Sequence, residues 1–127
     1  MKIPRPVLHA ARIADIVLFY PALLLVIWGE LSGPEPVLLQ GASDKLLHFL
    51  AYFGLAAMAG AAFKRRGQMI FAGLGLIVLG GILEIIQGFT GRDMSLLDEI
   101  ANTMGVIAGS ICARALVEPL RRRFGYW

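Results

Sequence analysis

Four apolar runs of about twenty residues, each bounded by charges or turn residues, dominate the chain. They are Ile13–Leu31, Leu46–Phe63, Gln68–Phe89 and Leu97–Val117. A helix rises ~1.5 Å per residue, so each run is long enough to cross a hydrocarbon layer of ~30 Å. In hydrocarbon every backbone N–H and C=O must be paired within its own segment, which makes a helix the default. The runs are too long, and too rich in Gly, Ala and Leu, to read as strands. The expected fold is an all-α membrane protein: one domain over residues 1–127, a bundle of four transmembrane helices. Composition agrees. Of the 127 residues 57% are hydrophobic and only 17% charged, whereas a soluble domain is about half apolar and a quarter charged. A soluble globule this small would not hide so much apolar surface. The single cysteine, Cys112, excludes an internal disulfide and a cysteine-built zinc site.

Basic residues set the expected orientation. Lys2, Arg5 and Arg12 precede or open the first span, Lys64, Arg65 and Arg66 join the second to the third, and Arg114, Arg121, Arg122 and Arg123 end the fourth. These are ten of the twelve basic residues; Lys45 and Arg92 occupy the opposite connections. The positive-inside rule therefore places both termini in the cytoplasm. The acids Glu30, Glu35, Asp44, Glu84, Asp93, Asp98 and Glu99 lie at or near the outer ends, with Asp15 and Glu118 the exceptions. Lys2 and Arg5 ahead of an apolar run also fit a cleavable signal peptide. The length of the run and the four-span alternation favour an uncleaved anchor; cleavage would leave three spans. The outer connection Ser32–Ser43, with Pro34 and Pro36, is expected to be irregular.

Many features need no function. The triple-basic clusters fit topology and anionic lipid, and the hydrophobic context argues against nucleic acid. Trp28, Tyr126 and Trp127 fit interfacial aromatics. Arg12 and Asp15, three apart, are expected to pair or snorkel, and Pro21 to kink the first span. Ala56, Gly60, Gly73, Gly75, Gly80, Gly81, Gly105 and Gly109 fit close helix packing; the Gly105/Gly109 GxxxG pair leaves a homo-oligomer open. Cys112 reads as a small apolar filler and His9 as a tail residue.

A polar layer near the outer face is less ordinary. Asp44, His48 and Tyr52 are spaced i, i+4, i+8 at the start of the second span, beside Lys45. Glu84 and Gln87 end the third, followed by Arg92 and Asp93. Ser95, Asp98 and Asn102 open the fourth. Helical geometry places each set on one stripe. Glu84 lies about five residues, or ~7 Å, from its span's outer end. An ionisable group at a span centre costs ~2.5–3.5 kcal/mol on insertion scales, so such groups favour one another over lipid. Structural readings compete. Asp44 or Ser43 fits an N-cap, Ser95 and Asp98 fit a capping box, and Glu84 fits a partner for Lys45 or Arg92. On those readings the layer is a polar plug.

The blocks Asp44-Lys45-x-x-His48-x-x-x-Tyr52, Glu84-x-x-Gln87 and Arg92-Asp93-x-Ser95-x-x-Asp98-x-x-x-Asn102-x-x-Gly105 resemble the VanZ-like family in order and spacing. The resemblance covers about Ser43 to Gly109. The family is named for a membrane protein linked to resistance to the glycopeptide teicoplanin. The resemblance implies a small multi-helix protein of the bacterial cytoplasmic membrane. Its signature positions here are Asp44, Lys45, His48, Tyr52, Glu84, Gln87, Arg92, Asp93, Ser95, Asp98 and Asn102. It implies no defined reaction.

Three functions follow. The first is a binding or resistance factor whose mixed-sign layer holds a lipid headgroup, a cell-wall precursor or a glycopeptide-related ligand, with Lys45 and Arg92 suited to acidic groups. The second is a membrane enzyme using His48, Asp44, Glu84 and Asp98 as acid and base on a lipid-linked substrate. No thiol or serine nucleophile accompanies them. The third is a structural subunit. No dedicated metal motif is present, so neither metal nor cofactor is expected, although His48 and the carboxylates are suitable donor types. Four short helices leave little room for a transport path.

Overall fold

The computed structural model describes residues 4–32 and 42–124. The expected features at Lys2, Pro34, Glu35, Pro36, Tyr126 and Trp127 lie outside the described residues. Four helices follow one another: α1 (Arg5–Leu31), α2 (Ala42–Ala62), α3 (Arg66–Phe89) and α4 (Leu96–Phe124). All four are long and apolar enough to cross a membrane, so the chain is an all-helical multi-pass membrane protein.

Helices outrun the apolar runs at several ends, most of all at two. α1 starts at Arg5 rather than Ile13, and α4 reaches Phe124 rather than Val117. Apolarity marks the stretch in contact with hydrocarbon, whereas the backbone ladder continues wherever propensity allows, and Arg and Leu are good helix formers. At the start of α1, Pro4 is extended (φ −62°, ψ 138°) and a proline fills the first turn, where a missing N–H costs nothing. Pro21 and Pro119 both sit inside helices.

Successive helices run antiparallel. The end of α1, the start of α2, the end of α3 and the start of α4 meet in the polar layer. At the other end, Arg121 Nη2 donates to the carbonyl of Ala61 at 2.9 Å. The core is thin: Tyr52, Leu55, Ala56, Leu76 and Val106 are buried, with Phe19, Leu23 and Val26 of α1 packed against them. Large apolar side chains face outward, Phe71 at 79% and Phe89 at 87% exposure among them. Such an exterior suits lipid as its solvent.

The closest pair is α2 with α4, and glycine makes it so. A Cβ built on Gly105 would run into the Phe49 carbonyl oxygen, and one on Gly109 into the Phe53 carbonyl oxygen. Backbone touches backbone there, as small-residue motifs allow. Gly105 and Gly109 thus face α2 within the chain.

Candidate functional site

Four helix ends build one polar cluster. Glu30 of α1, Asp44, His48 and Tyr52 of α2, Glu84 and Gln87 of α3, and Asp98 and Asn102 of α4 are all buried. Burial of so many polar groups is affordable only through mutual bonding.

His48 stands at the centre. Its Nδ1 lies 3.0 Å from Asn102 Oδ1 and 3.7 Å from Glu30 Oε1. Its Nε2 lies 3.4 Å from Asp44 Oδ1, one turn earlier on α2. Asn102 Nδ2 donates to Glu99 Oε2 at 3.3 Å. A carboxylate only accepts, so this bond fixes the amide's orientation and turns its oxygen to the imidazole. Gly80 of α3 makes room: a Cβ there would lie 2.7 Å from Glu99 Oε2 and 3.0 Å from Asn102 Nδ2.

Lys45 contacts Asp98 Oδ1, and its Nζ lies 3.8 Å from Asp44 Oδ2. One ammonium thus ties the start of α2 to the start of α4. Glu84, expected as a partner for Lys45 or Arg92, instead accepts from the backbone N–H of Ser95 at 3.0 Å through Oε2. In a capping box that N–H would go to the residue three positions on, here Asp98. Because α3 supplies the carboxylate, Asp98 is left for Lys45. The capping-box reading therefore gives way to a contact between helices.

The remaining residues fasten α1. Gln87 Nε2 donates to the carbonyl of Glu30 at 2.8 Å. Arg92 Nη1 donates to the carbonyls of Gly29 (3.2 Å) and Glu30 (3.1 Å), a favourable place for a cation at a helix C-terminus. Arg92 reaches them because α3 ends in a tight reversal: Gly91 takes φ +84°, and the Arg92 N–H bonds back to the Gln87 carbonyl at 3.3 Å. Gln87→Leu is expected to loosen α1 at a cost of about 0.5–1.5 kcal/mol, since it removes one of the two donors that the Glu30 carbonyl accepts from and leaves Arg92 as the other. Thermal unfolding of the detergent-solubilised variant checks this.

Several polar atoms in the cluster lack a hydrogen-bond partner: both Glu30 carboxylate oxygens, Glu84 Oε1 and the Tyr52 hydroxyl. The Tyr52 hydroxyl and the Glu30 carboxylate are nonetheless neighbours and interact as donor and acceptor, at longer range than an ordinary hydrogen bond.

The expected site residues thus divide. Asp44, Lys45, His48, Tyr52, Glu84, Gln87, Asp98 and Asn102 converge. Arg92 braces the edge, Ser95 contributes its backbone N–H, and Asp93 is exposed and takes no part in these bonds. Glu30 and Glu99 belong to the cluster and were not expected in it. Glu30 carried a signal: an acid in the last turn of a helix opposes the macrodipole and asks for a reason. Glu99 lies three residues before Asn102, at a spacing that brings side chains together. No family model, curated protein or solved structure matches the chain.

Proposed function

We propose that the chain is a VanZ-like protein of the bacterial cytoplasmic membrane, with its basic end in the cytoplasm. In this reading the buried cluster lies beneath the extracytoplasmic face and binds the polar head of a cell-envelope ligand. That ligand is a lipid headgroup, a cell-wall precursor or a glycopeptide-related molecule. The positive-inside rule supports the orientation. The observation that carries the binding reading is the set of buried carboxylate oxygens on Glu30 and Glu84 that lack a full complement of donors, because native proteins rarely leave such atoms unsatisfied.

Those oxygens favour a ligand that brings donors, an amine or hydroxyl head, over a purely anionic one. Lys45 and Arg92, expected at first to hold acidic groups, are engaged with Asp98 and with the α1 carbonyls. Lys45 is the most accessible member of the ion-pair network, its side chain 35% exposed, and its movement would open the cluster from the surface.

Teicoplanin susceptibility of cells expressing the chain tests this reading. Wild type is expected to raise the inhibitory concentration. Glu84→Gln and His48→Ala are expected to remove that gain while membrane abundance stays unchanged. Loss of phenotype in step with loss of protein would make the layer a structural plug. A wild type without effect would end the glycopeptide link. Phosphatidylethanolamine against phosphatidylglycerol nanodiscs then tests the amine-bearing head directly.

A further inference from the structure

The geometry points to a divalent metal site of mixed nitrogen and oxygen donors at His48, Asp44 and Asp98, with the Lys45 ammonium as the cation that the metal ion displaces. It goes beyond the ligand reading above and does not depend on it.

The donor atoms of the three residues lie within 4.8 Å of one another, and all three residues are buried. The hydrogen-bond network assigns the imidazole. Glu99 orients the Asn102 amide, whose oxygen then takes the proton on His48 Nδ1 at 3.0 Å. In the neutral ring Nε2 is therefore left with its lone pair, and Asp44 Oδ1 lies 3.4 Å from it. Two acceptors held this close in a buried site are stabilised by positive charge shared between them, which a proton on Nε2 or a metal ion supplies. For a metal with bonds of ~2.1 Å, tetrahedral donors sit ~3.4 Å apart, so this pair is already spaced as one edge of a coordination shell.

Glu30 is a second, independent observation. Its side chain is 9% exposed, its Oε1 is 3.7 Å from His48 Nδ1, and neither of its oxygens has a hydrogen-bond partner. Asn102 Oδ1 is the outer-shell partner of the non-ligating nitrogen, and the Glu30 carboxylate beyond it adds negative charge on that side of the ring. Charge points the same way. Among the described residues Glu30, Asp44, Glu84, Asp98 and Glu99 supply five carboxylates around the cluster, against the permanent cations Lys45 and Arg92. An ion of charge two removes most of that imbalance in a medium where unpaired charge is costly.

Lys45 occupies the position between the two aspartates. Its long flexible stem and 35% side-chain exposure let the ammonium withdraw to the surface when a divalent ion enters. One imidazole with carboxylates suits Zn2+ or Mn2+ more than Mg2+ or Ca2+, which take oxygen ligands. Zn2+ binds such donors more tightly than Mn2+.

The test uses full-length, tag-free protein in lipid nanodiscs, stripped with a chelator and equilibrated with Zn2+ alone or Mn2+ alone. Elemental analysis is expected to find one Zn2+ per chain, with Mn2+ bound more weakly. Zinc-edge absorption spectra are expected to show a nitrogen/oxygen shell with a single imidazole. His48→Ala and Asp98→Asn should abolish stoichiometric binding, and Asn102→Ala should weaken it ~10–100-fold through the lost outer-shell bond. Lys45→Met should bind Zn2+ more tightly, because the competing ammonium is gone. That gain keeps the test decisive even where His48 and Asp98 variants fail to fold. Less than one ion per ten wild-type chains, undiminished binding in folded His48→Ala, or no gain in Lys45→Met would overturn the proposal. These assays read metal content and metal coordination rather than headgroup or glycopeptide binding, so their failure would leave the binding reading standing.

Discussion

Gly109→Leu is expected to leave little folded protein. A Cβ at Gly109 would already meet the Phe53 carbonyl, with the Ala57 nitrogen 3.1 Å away. These are backbone atoms of a neighbouring helix, which cannot rotate aside as a side chain would. Leucine must therefore push α4 off α2, and that pair is the closest contact in the molecule. The single methyl of Gly109→Ala is expected to cost about 1–3 kcal/mol, the usual range for overpacking. Gly75→Leu is the control, since a Cβ there meets nothing within 4 Å. Thermal unfolding in detergent, with the monodisperse fraction after membrane extraction, separates the three. Equal stability of Gly109→Leu and Gly75→Leu would mean that α2 and α4 do not meet through their backbones.

The second large effect concerns Lys45 and Asp98. Asp98→Leu removes the carboxylate that binds the ammonium and leaves Lys45 with Asp44 at 3.8 Å. Breaking a buried pair from one side costs ~3–5 kcal/mol. Lys45 keeps access to water through a side chain 35% exposed, so the expected cost is nearer ~2–3 kcal/mol. The double variant Lys45→Met/Asp98→Leu should recover most of it, because neither charge is then stranded. A double-mutant cycle of unfolding free energies reads the coupling directly. Strictly additive losses would show that the two residues do not act as a pair.

The sequence carries the spans clearly because a bilayer imposes a length and an apolarity on each crossing. It carries the helix ends poorly, since Arg5–Arg12 and Glu118–Phe124 are helical without being apolar. The polar layer was legible as to residue type and depth: Asp44, His48, Glu84, Asp98 and Asn102 sit at matching distances from their helix ends. Partner choice was not. Spacing within one helix suggested Asp98 as the cap for Ser95, and nothing local announces that Glu84 on a different helix takes that N–H. Nor does GxxxG name its partner; only the packed chain shows that Gly105 and Gly109 face α2. Glu30 was visible as an acid at the wrong end of a helix, but its place beside His48 depends on how α1 folds back.

The central claim is that side chains from separate crossings converge on His48. Asn102 is the only asparagine in the chain, and His48 shares its residue type only with His9. Selective labelling is therefore nearly unambiguous. Solid-state NMR of histidine- and asparagine-labelled protein in lipid bilayers is expected to show a through-space correlation between one imidazole and the asparagine side-chain carbonyl. It should disappear in His48→Ala and survive in His9→Ala. Ordered signals from both residue types with no correlation between them would contradict the account.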